Sequence, residues 1–187
     1  MHALTHPRSA TSLAAFIGIS LAVVVPWLMT EPWWLECGVA LTLAGAGLAA
    51  VVDAESGRLP DRLVLLAALP TAVAIGVELL MHPGVGAIAG PLAGVVAFAG
   101  PLLVVHVVSP SAMGFGDVKL AAVLGAALGS IEPRAALLAL CAASAVTVVA
   151  GVVRRRPAMP FGPGLVIGSL LSIIVIASTV DRAVPWR

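Results

Sequence analysis

Two aspartates lie where apolar stretches of this 187-residue chain meet short polar ones. Asp53 closes an apolar run in VVDAESGRLPD, and Asp117 opens another in MGFGDVKL. A carboxylate at the edge of a hydrocarbon-buried segment is costly to place, so by default it marks a functional site. Two carboxylates held close together share one proton, so that one can accept a proton from water while the other polarises a carbonyl group. The pair therefore predicts hydrolysis of peptide bonds.

The composition predicts a membrane protein. Mean hydropathy is +1.12, 60% of the residues are hydrophobic and only 10% are charged, whereas a soluble domain has about 25% charged residues. The formal net charge is +1 and no basic patch is interleaved with aromatic residues, so nucleic-acid binding is excluded. Cys37 and Cys141 form neither a metal-binding pattern nor a disulfide framework, and no metal site is expected.

The apolar runs predict an all-α, polytopic bundle of about seven transmembrane helices, with six as the alternative, in a single domain over residues 1–187. Each run approaches the roughly 20 residues that cross a bilayer. The first is too long for a signal-peptide core, so it is read as a retained span. The fifth is short and contains a lysine, so three placements are open: it tilts, it thins the membrane locally, or it is a half-helix packed inside the protein. The predicted spans are 11–30, 35–52, 62–81, 85–108, 117–131, 135–153 and 162–180.

The positions of the basic residues predict a cytoplasmic N terminus. Cytoplasmic loops collect Lys and Arg, and this orientation puts seven of the ten on the inner side. Those seven are Arg8, Arg58, Arg62, Lys119, Arg154, Arg155 and Arg156, against Arg134, Arg182 and Arg187 outside. The tryptophans then all fall near the outer interface, where their rings prefer to lie: Trp27, Trp33, Trp34 and Trp186. Asp53 and Asp117 both come to the cytoplasmic face.

Small residues predict close packing of the fourth and fifth spans. Gly86, Gly90 and Gly94 recur at every fourth position of the fourth span, and Gly125 and Gly129 do so in the fifth. This spacing lets helix backbones approach closely. We therefore expect the fifth span to be held tightly near the predicted site.

Other polar side chains in the spans are assigned supporting roles. Lys119 lies two positions beyond Asp117, about 200° around a helix from it, so it is interpreted as an interface anchor rather than a catalytic residue. His106, near the inner end of the fourth span, is expected to be hydrogen-bonded in a packing role. Glu78 falls near the outer end of the third span, on the wrong side to join the aspartates.

Three motifs follow one another along the chain. The first is Asp53 followed by Leu59-Pro60-Asp61, the second is Gly114-Phe115-Gly116-Asp117 with Lys119, and the third is Pro160-Phe161-Gly162-Pro163. Any one alone has a structural explanation, such as a helix cap or a glycine-rich turn. In this order and spacing they resemble the type IV prepilin peptidases, which are GxGD-type membrane aspartyl proteases. The resemblance covers about residues 35–175, with an additional N-terminal span at 11–30.

The resemblance implies that Asp53 and Asp117 are the catalytic pair of a protease in the bacterial inner membrane. Its substrates would be pilin-like precursors, whose short basic leader is removed at the cytoplasmic face. Substrate binding or loop shaping would fall to the remaining motif residues: Gly114, Phe115, Gly116, Pro60, Asp61, Lys119, Pro160, Phe161, Gly162 and Pro163. The cysteine-rich loop of the bifunctional members has no counterpart here, so methylation with S-adenosylmethionine is not expected and no cofactor is expected. Nothing in the sequence predicts an oligomeric state.

Three alternatives stay open at this point. A presenilin-like GxGD protease would act on other substrates, but such enzymes carry Tyr-Asp and Pro-Ala-Leu motifs, and this chain has no tyrosine and has PFGPG instead. A proton-coupled transporter also uses paired membrane carboxylates, usually near the midplane and often between inverted repeats. A membrane assembly subunit with a purely structural acidic pair is the third.

Overall fold

The computed structural model describes residues 32–56, 59–110, 113–155 and 161–179. All regular structure in these ranges is helical, which confirms the predicted all-α class. The predicted span at 11–30, together with Trp27, Trp186 and Pro160, lies outside the described residues. The six described helices are α1 (Trp33–Ser56), α2 (Asp61–Met81), α3 (Gly86–Val108), α4 (Phe115–Ile131), α5 (Pro133–Arg154) and α6 (Gly162–Thr179).

Five of these six helices are long and apolar enough to cross a membrane, namely α1, α2, α3, α5 and α6. The exception is α4, the segment predicted as the weak fifth span, which has only 17 residues. It contacts all five other helices, and Leu120, Leu124 and Leu128 on it are almost completely buried. The short helix therefore forms the centre of the bundle, which agrees with the predicted placement inside the protein.

The connections from α1 to α2, from α3 to α4 and from α5 to α6 lie at the same end of the bundle. Pro60 has extended backbone angles and Asp61 opens α2 directly after it. Gly114 is likewise extended before α4, and Arg155 ends α5 in the left-handed conformation. Because successive helices run in opposite directions, the end of α1 and the starts of α2, α4 and α6 meet. We call this the inner end.

The opposite, outer end is held by a polar cluster between α1 and α2. The Trp34 indole N–H donates to Glu78 Oε2 over 2.9 Å, and His82 Nδ1 lies 3.2 Å from Glu78 Oε1. The Trp34 and His82 rings stack with centroids 6.3 Å apart. Glu78 is therefore part of a cluster that joins two helices at the end where the tryptophans were predicted.

Glycines bring α3 and α4 into backbone contact. A Cβ atom on Gly94 would overlap the carbonyl oxygen of Gly125 and lie 2.8 Å from the Cα of Gly129. A Cβ on Gly125 would lie 2.5 Å from the Gly94 oxygen, and one on Gly90 would lie 2.6 Å from the Gly129 oxygen. The predicted close packing is confirmed for these four residues, but they lie toward the outer end of the bundle and not beside the aspartates. Gly86, the fifth, has open space around it.

This interface predicts a strong and local effect of added bulk. Gly94→Ala places a methyl group against backbone atoms that cannot rotate away, so α3 and α4 must separate and stability should fall by about 1–3 kcal/mol. Thermal unfolding in detergent micelles measures the loss. The matched control is Gly100→Ala on the same helix, where a Cβ meets nothing within 4 Å. Equal midpoints for the two variants would contradict this packing.

Candidate active site

Asp53 lies in the last turn of α1 and is only 6% exposed. Burial disfavours its charged form, and the backbone N–H of Gly162 offsets part of this cost by donating a hydrogen bond to the carboxylate. Among the described residues, no hydrogen-bond partner reaches its buried Oδ2 atom. The side chain thus keeps one oxygen available for a further proton or donor.

Gly162 explains how the third motif takes part in this site. A Cβ atom at this position would lie 2.9 Å from Asp53 Oδ2, so a side chain here would displace the Asp53 carboxylate. Gly162 is also the first residue of α6, and the first amides of a helix have no partner within it. The positive end of α6 therefore points at the Asp53 carboxylate.

The other residues of this motif fit the start of α6. Pro163 occupies the first turn, where a missing N–H costs no helical hydrogen bond. Phe161 is partly buried and packs against the main hydrophobic core. The motif therefore anchors its aromatic ring in the bundle while its glycine faces the aspartate.

Asp117 lies in the first turn of α4 and is partly buried. Its backbone N–H donates to the Gly114 carbonyl over 3.1 Å, and a Cβ on Gly114 would lie 3.7 Å from Asp117 Oδ2. The Asp53 and Asp117 carboxylates are near enough for their charges to repel each other directly. The structure therefore brings together two acidic groups that are 64 residues apart in sequence.

The first and second motifs also contact each other through uncharged residues. A Cβ on Gly116 would lie 3.0 Å from Cβ of Leu59 and 3.5 Å from its Cδ2. Leu59 in turn packs against the hydrophobic core of the bundle. The missing side chain of Gly116 thus lets the start of α4 lie directly against the segment that leads into α2.

Lys119 and Asp61 form an ion pair that joins α4 to α2. Their Nζ and Oδ1 atoms are 2.8 Å apart, with side chains 38% and 66% exposed. The Lys119 ammonium also lies 5.1 Å from the centre of the Phe115 ring. The partner of Lys119 is thus a residue of another motif. An exposed pair of this kind contributes only about 0–1 kcal/mol to stability, so its main effect is on position.

Sequence reasoning missed several of these contacts. The approach of Gly162 to Asp53 and the pairing of Lys119 with Asp61 join segments remote along the chain, and spacing alone gives no signal for them. The glycines of the second and third motifs were the available hint, because close backbone approach is a common reason for glycine. Among the described residues, no group of three or more His, Cys, Asp or Glu side chains could hold a metal ion.

A family model described as the type IV leader peptidase family matches residues 39–152, more than half of the chain. The chain belongs to this family. Searches among curated proteins and among solved structures give no match. The matched region of this leader peptidase contains both aspartates and ends before Phe161 and Gly162, so the contact of Gly162 with Asp53 comes from the structure alone.

The close approach of Gly162 to Asp53 predicts that Gly162→Ala displaces the Asp53 carboxylate. The added methyl group would occupy the space 2.9 Å from Asp53 Oδ2, and a displacement of about 1 Å in a reacting group can cost as much as 10²-fold in rate. Peptidase activity should therefore fall by about 10- to 100-fold. The measurement is initial cleavage rate, beside thermal unfolding to separate inactivity from misfolding. Gly100→Ala serves as control, and a fully active Gly162→Ala enzyme would contradict the assigned contact.

The Lys119–Asp61 ion pair predicts that reversing both charges restores activity that is lost when only one charge is reversed. Asp61→Lys and Lys119→Asp each place like charges together at the start of α2 and α4, so each should lower activity, while unfolding changes by no more than about 1 kcal/mol. The double variant restores the pair with reversed polarity and should recover most of the activity. Loss in the double variant equal to the two single losses combined would show that the residues act independently.

Proposed function

We propose that this leader peptidase is an aspartyl endopeptidase whose catalytic pair is Asp53 and Asp117, and that it removes the basic leader from type IV pilin-like precursors. The observation that carries the proposal is the meeting of two carboxylates at one end of an apolar bundle, near enough to interact electrostatically. Family membership supports the reaction class. The positions of the two acids support the mechanism.

The shared proton gives the two carboxylates different tasks. Two negative charges in a partly buried site are unfavourable, so one carboxyl group stays protonated while the other is ionised. The ionised group takes a proton from water, and the protonated group hydrogen-bonds to the carbonyl oxygen of the scissile peptide. The resulting hydroxide attacks the carbonyl carbon, and the proton gained by the base passes to the leaving amine. The two acids need no cofactor, and methylation with S-adenosylmethionine is not part of the proposal.

The segment before α4 is suited to an extended peptide. Gly114 and Phe115 are exposed, and Gly114 has no side chain to keep another backbone away. A substrate strand can therefore approach within hydrogen-bonding distance of this segment, close to Asp117.

The residues at the inner end of the bundle support a location of the site at the cytoplasmic face of the bacterial inner membrane. Arg62 at the start of α2 and Arg155 at the end of α5 belong to this end, and both are exposed. Trp33 and Trp34 start α1 at the other end. Basic residues inside and tryptophan at the outer interface are the usual arrangement. A precursor with its leader in the cytoplasm and an apolar helix in the bilayer would present its cleavage point at this level.

The alternatives have less support. Family membership is in the leader peptidases, which favours pilin-like precursors over the substrates of presenilin-like enzymes. Asp53 and Asp117 lie in terminal turns of their helices, whereas paired carboxylates of transporters usually lie near the midplane. An assembly subunit would not need two acids that repel each other.

Single Asn variants of the two aspartates test the proposal. Asp53→Asn and Asp117→Asn remove one ionisable group each with little change of shape, so cleavage of a pilin-like precursor by purified enzyme should fall by about 10²- to 10⁴-fold. Gel mobility of the precursor and mass spectrometry of the released leader measure the reaction. Glu132→Gln, at the start of α5 on the outer end, is the matched control and should cleave normally.

Each outcome of this experiment has a distinct meaning. Full cleavage by either Asn variant removes that aspartate from the mechanism. If wild-type enzyme leaves pilin-like precursors intact but cleaves an apolar helix without a basic leader, the substrate assignment is wrong and the presenilin-like alternative is right.

A further inference from the structure

His106 contacts the segment that leads into the Asp117 turn. It lies in the last turn of α3 and is partly buried. Its Nδ1 atom is 2.8 Å from the carbonyl oxygen of Met113, the residue directly before Gly114. A carbonyl oxygen can only accept a hydrogen bond, so Nδ1 must be the donor and carry a hydrogen.

The segment needs a restraint of this kind because its own residues supply few. Gly114 and Gly116 have wide backbone freedom and no side chains for anchoring. Asp117 is tied to this segment by a backbone hydrogen bond to Gly114. The direction of the Asp117 carboxylate therefore depends on contacts made just before and just after the two glycines.

The structure supplies one polar restraint on each side, and Met113 also packs against the hydrophobic core. After Asp117, Lys119 is paired with Asp61. Before it, His106 holds the Met113 carbonyl, and the His106 ring packs against Phe115 with centroids 5.3 Å apart. Phe115 also lies under the Lys119 ammonium, which links the two restraints.

We propose that His106 is a positioning residue for the peptidase reaction: its Nδ1–H donor fixes the Met113 carbonyl and thereby holds the Gly114–Asp117 turn in the orientation that presents the Asp117 carboxylate. This inference rests on the proposed function and adds a residue that belongs to none of the three motifs. His106 itself touches neither the substrate nor the reacting atoms.

The test compares two variants of nearly equal shape. Asn and Leu side chains branch identically at Cγ, but the Asn Nδ2 atom occupies the place of the His Nδ1 donor and Leu offers no donor. In full-length enzyme in detergent micelles, His106→Leu should lower kcat for a pilin-like precursor by about 10-fold or more, with KM changed less than about twofold. His106→Asn should retain most of the wild-type kcat. His82→Leu, at the outer end, is the control and should behave as wild type.

A second measurement does not depend on activity. Nitrogen-15 spectra of histidine-labelled enzyme report which ring nitrogen carries the hydrogen, and His106 should carry it on Nδ1. Thermal unfolding of both variants separates a loss of kcat from a loss of folded enzyme, because Asn and Leu branch alike but differ in volume and polarity.

The results distinguish failure of the His106 positioning role from failure of the proposed function. Wild-type kcat in His106→Leu, equal losses in the Leu and Asn variants, or a neutral ring with its hydrogen on Nε2 would each overturn the positioning role while leaving the Asp53/Asp117 pair intact. Absence of any precursor cleavage by the wild-type enzyme would overturn the proposed function and the positioning role with it.

Discussion

Backbone contact between α3 and α4 is the constraint on which the remaining geometry depends. Two helices approach this closely only where both lack side chains, and Gly90 and Gly94 face Gly125 and Gly129 at the contact. Because the interface leaves no room for a slip of register, it fixes the position of α4 along α3. The start of α4, where Asp117 lies, is thereby placed at a definite depth within a ring of five other helices.

Negative charge on the two aspartates is unfavourable for two reasons, burial and mutual repulsion, and the surrounding helix ends reduce this cost. Burial disfavours charge on both Asp53 and Asp117, and at Asp117 the nearby Asp53 adds repulsion. Asp53 meets the first amide of α6, and Asp117 opens α4, so each carboxylate lies at the positive end of a helix. One negative charge shared by the pair is stabilised in this setting, whereas two would repel each other in a partly buried site. The glycine at position 162 allows this arrangement because it leaves room for the Asp53 carboxylate.

Much of this fold follows from the sequence because hydropathy is a strong signal in a membrane chain. The described helices begin and end within a few residues of the predicted spans, and even the alternative placement of the short fifth span inside the protein was foreseeable from its length and from Lys119. The contacts within the site were harder to predict from the sequence. The sequence placed Asp53 and Asp117 at one face, but no local rule connects Gly162 with Asp53 or His106 with Met113, since these contacts depend on how remote helix ends meet.

The two ends of the bundle are stabilised by different means, and this difference bears on catalysis. At the outer end, Trp34, Glu78 and His82 form a cluster in addition to the glycine contacts of α3 and α4. At the inner end, Asp117 is held by separate polar contacts on either side of two glycines. Isolated polar contacts open at lower free energy than a packed interface does. In the proposed mechanism the cleaved bond passes between the two acids, which needs such local freedom. Confining this freedom to the inner end preserves the packing that sets the depth of the two acids.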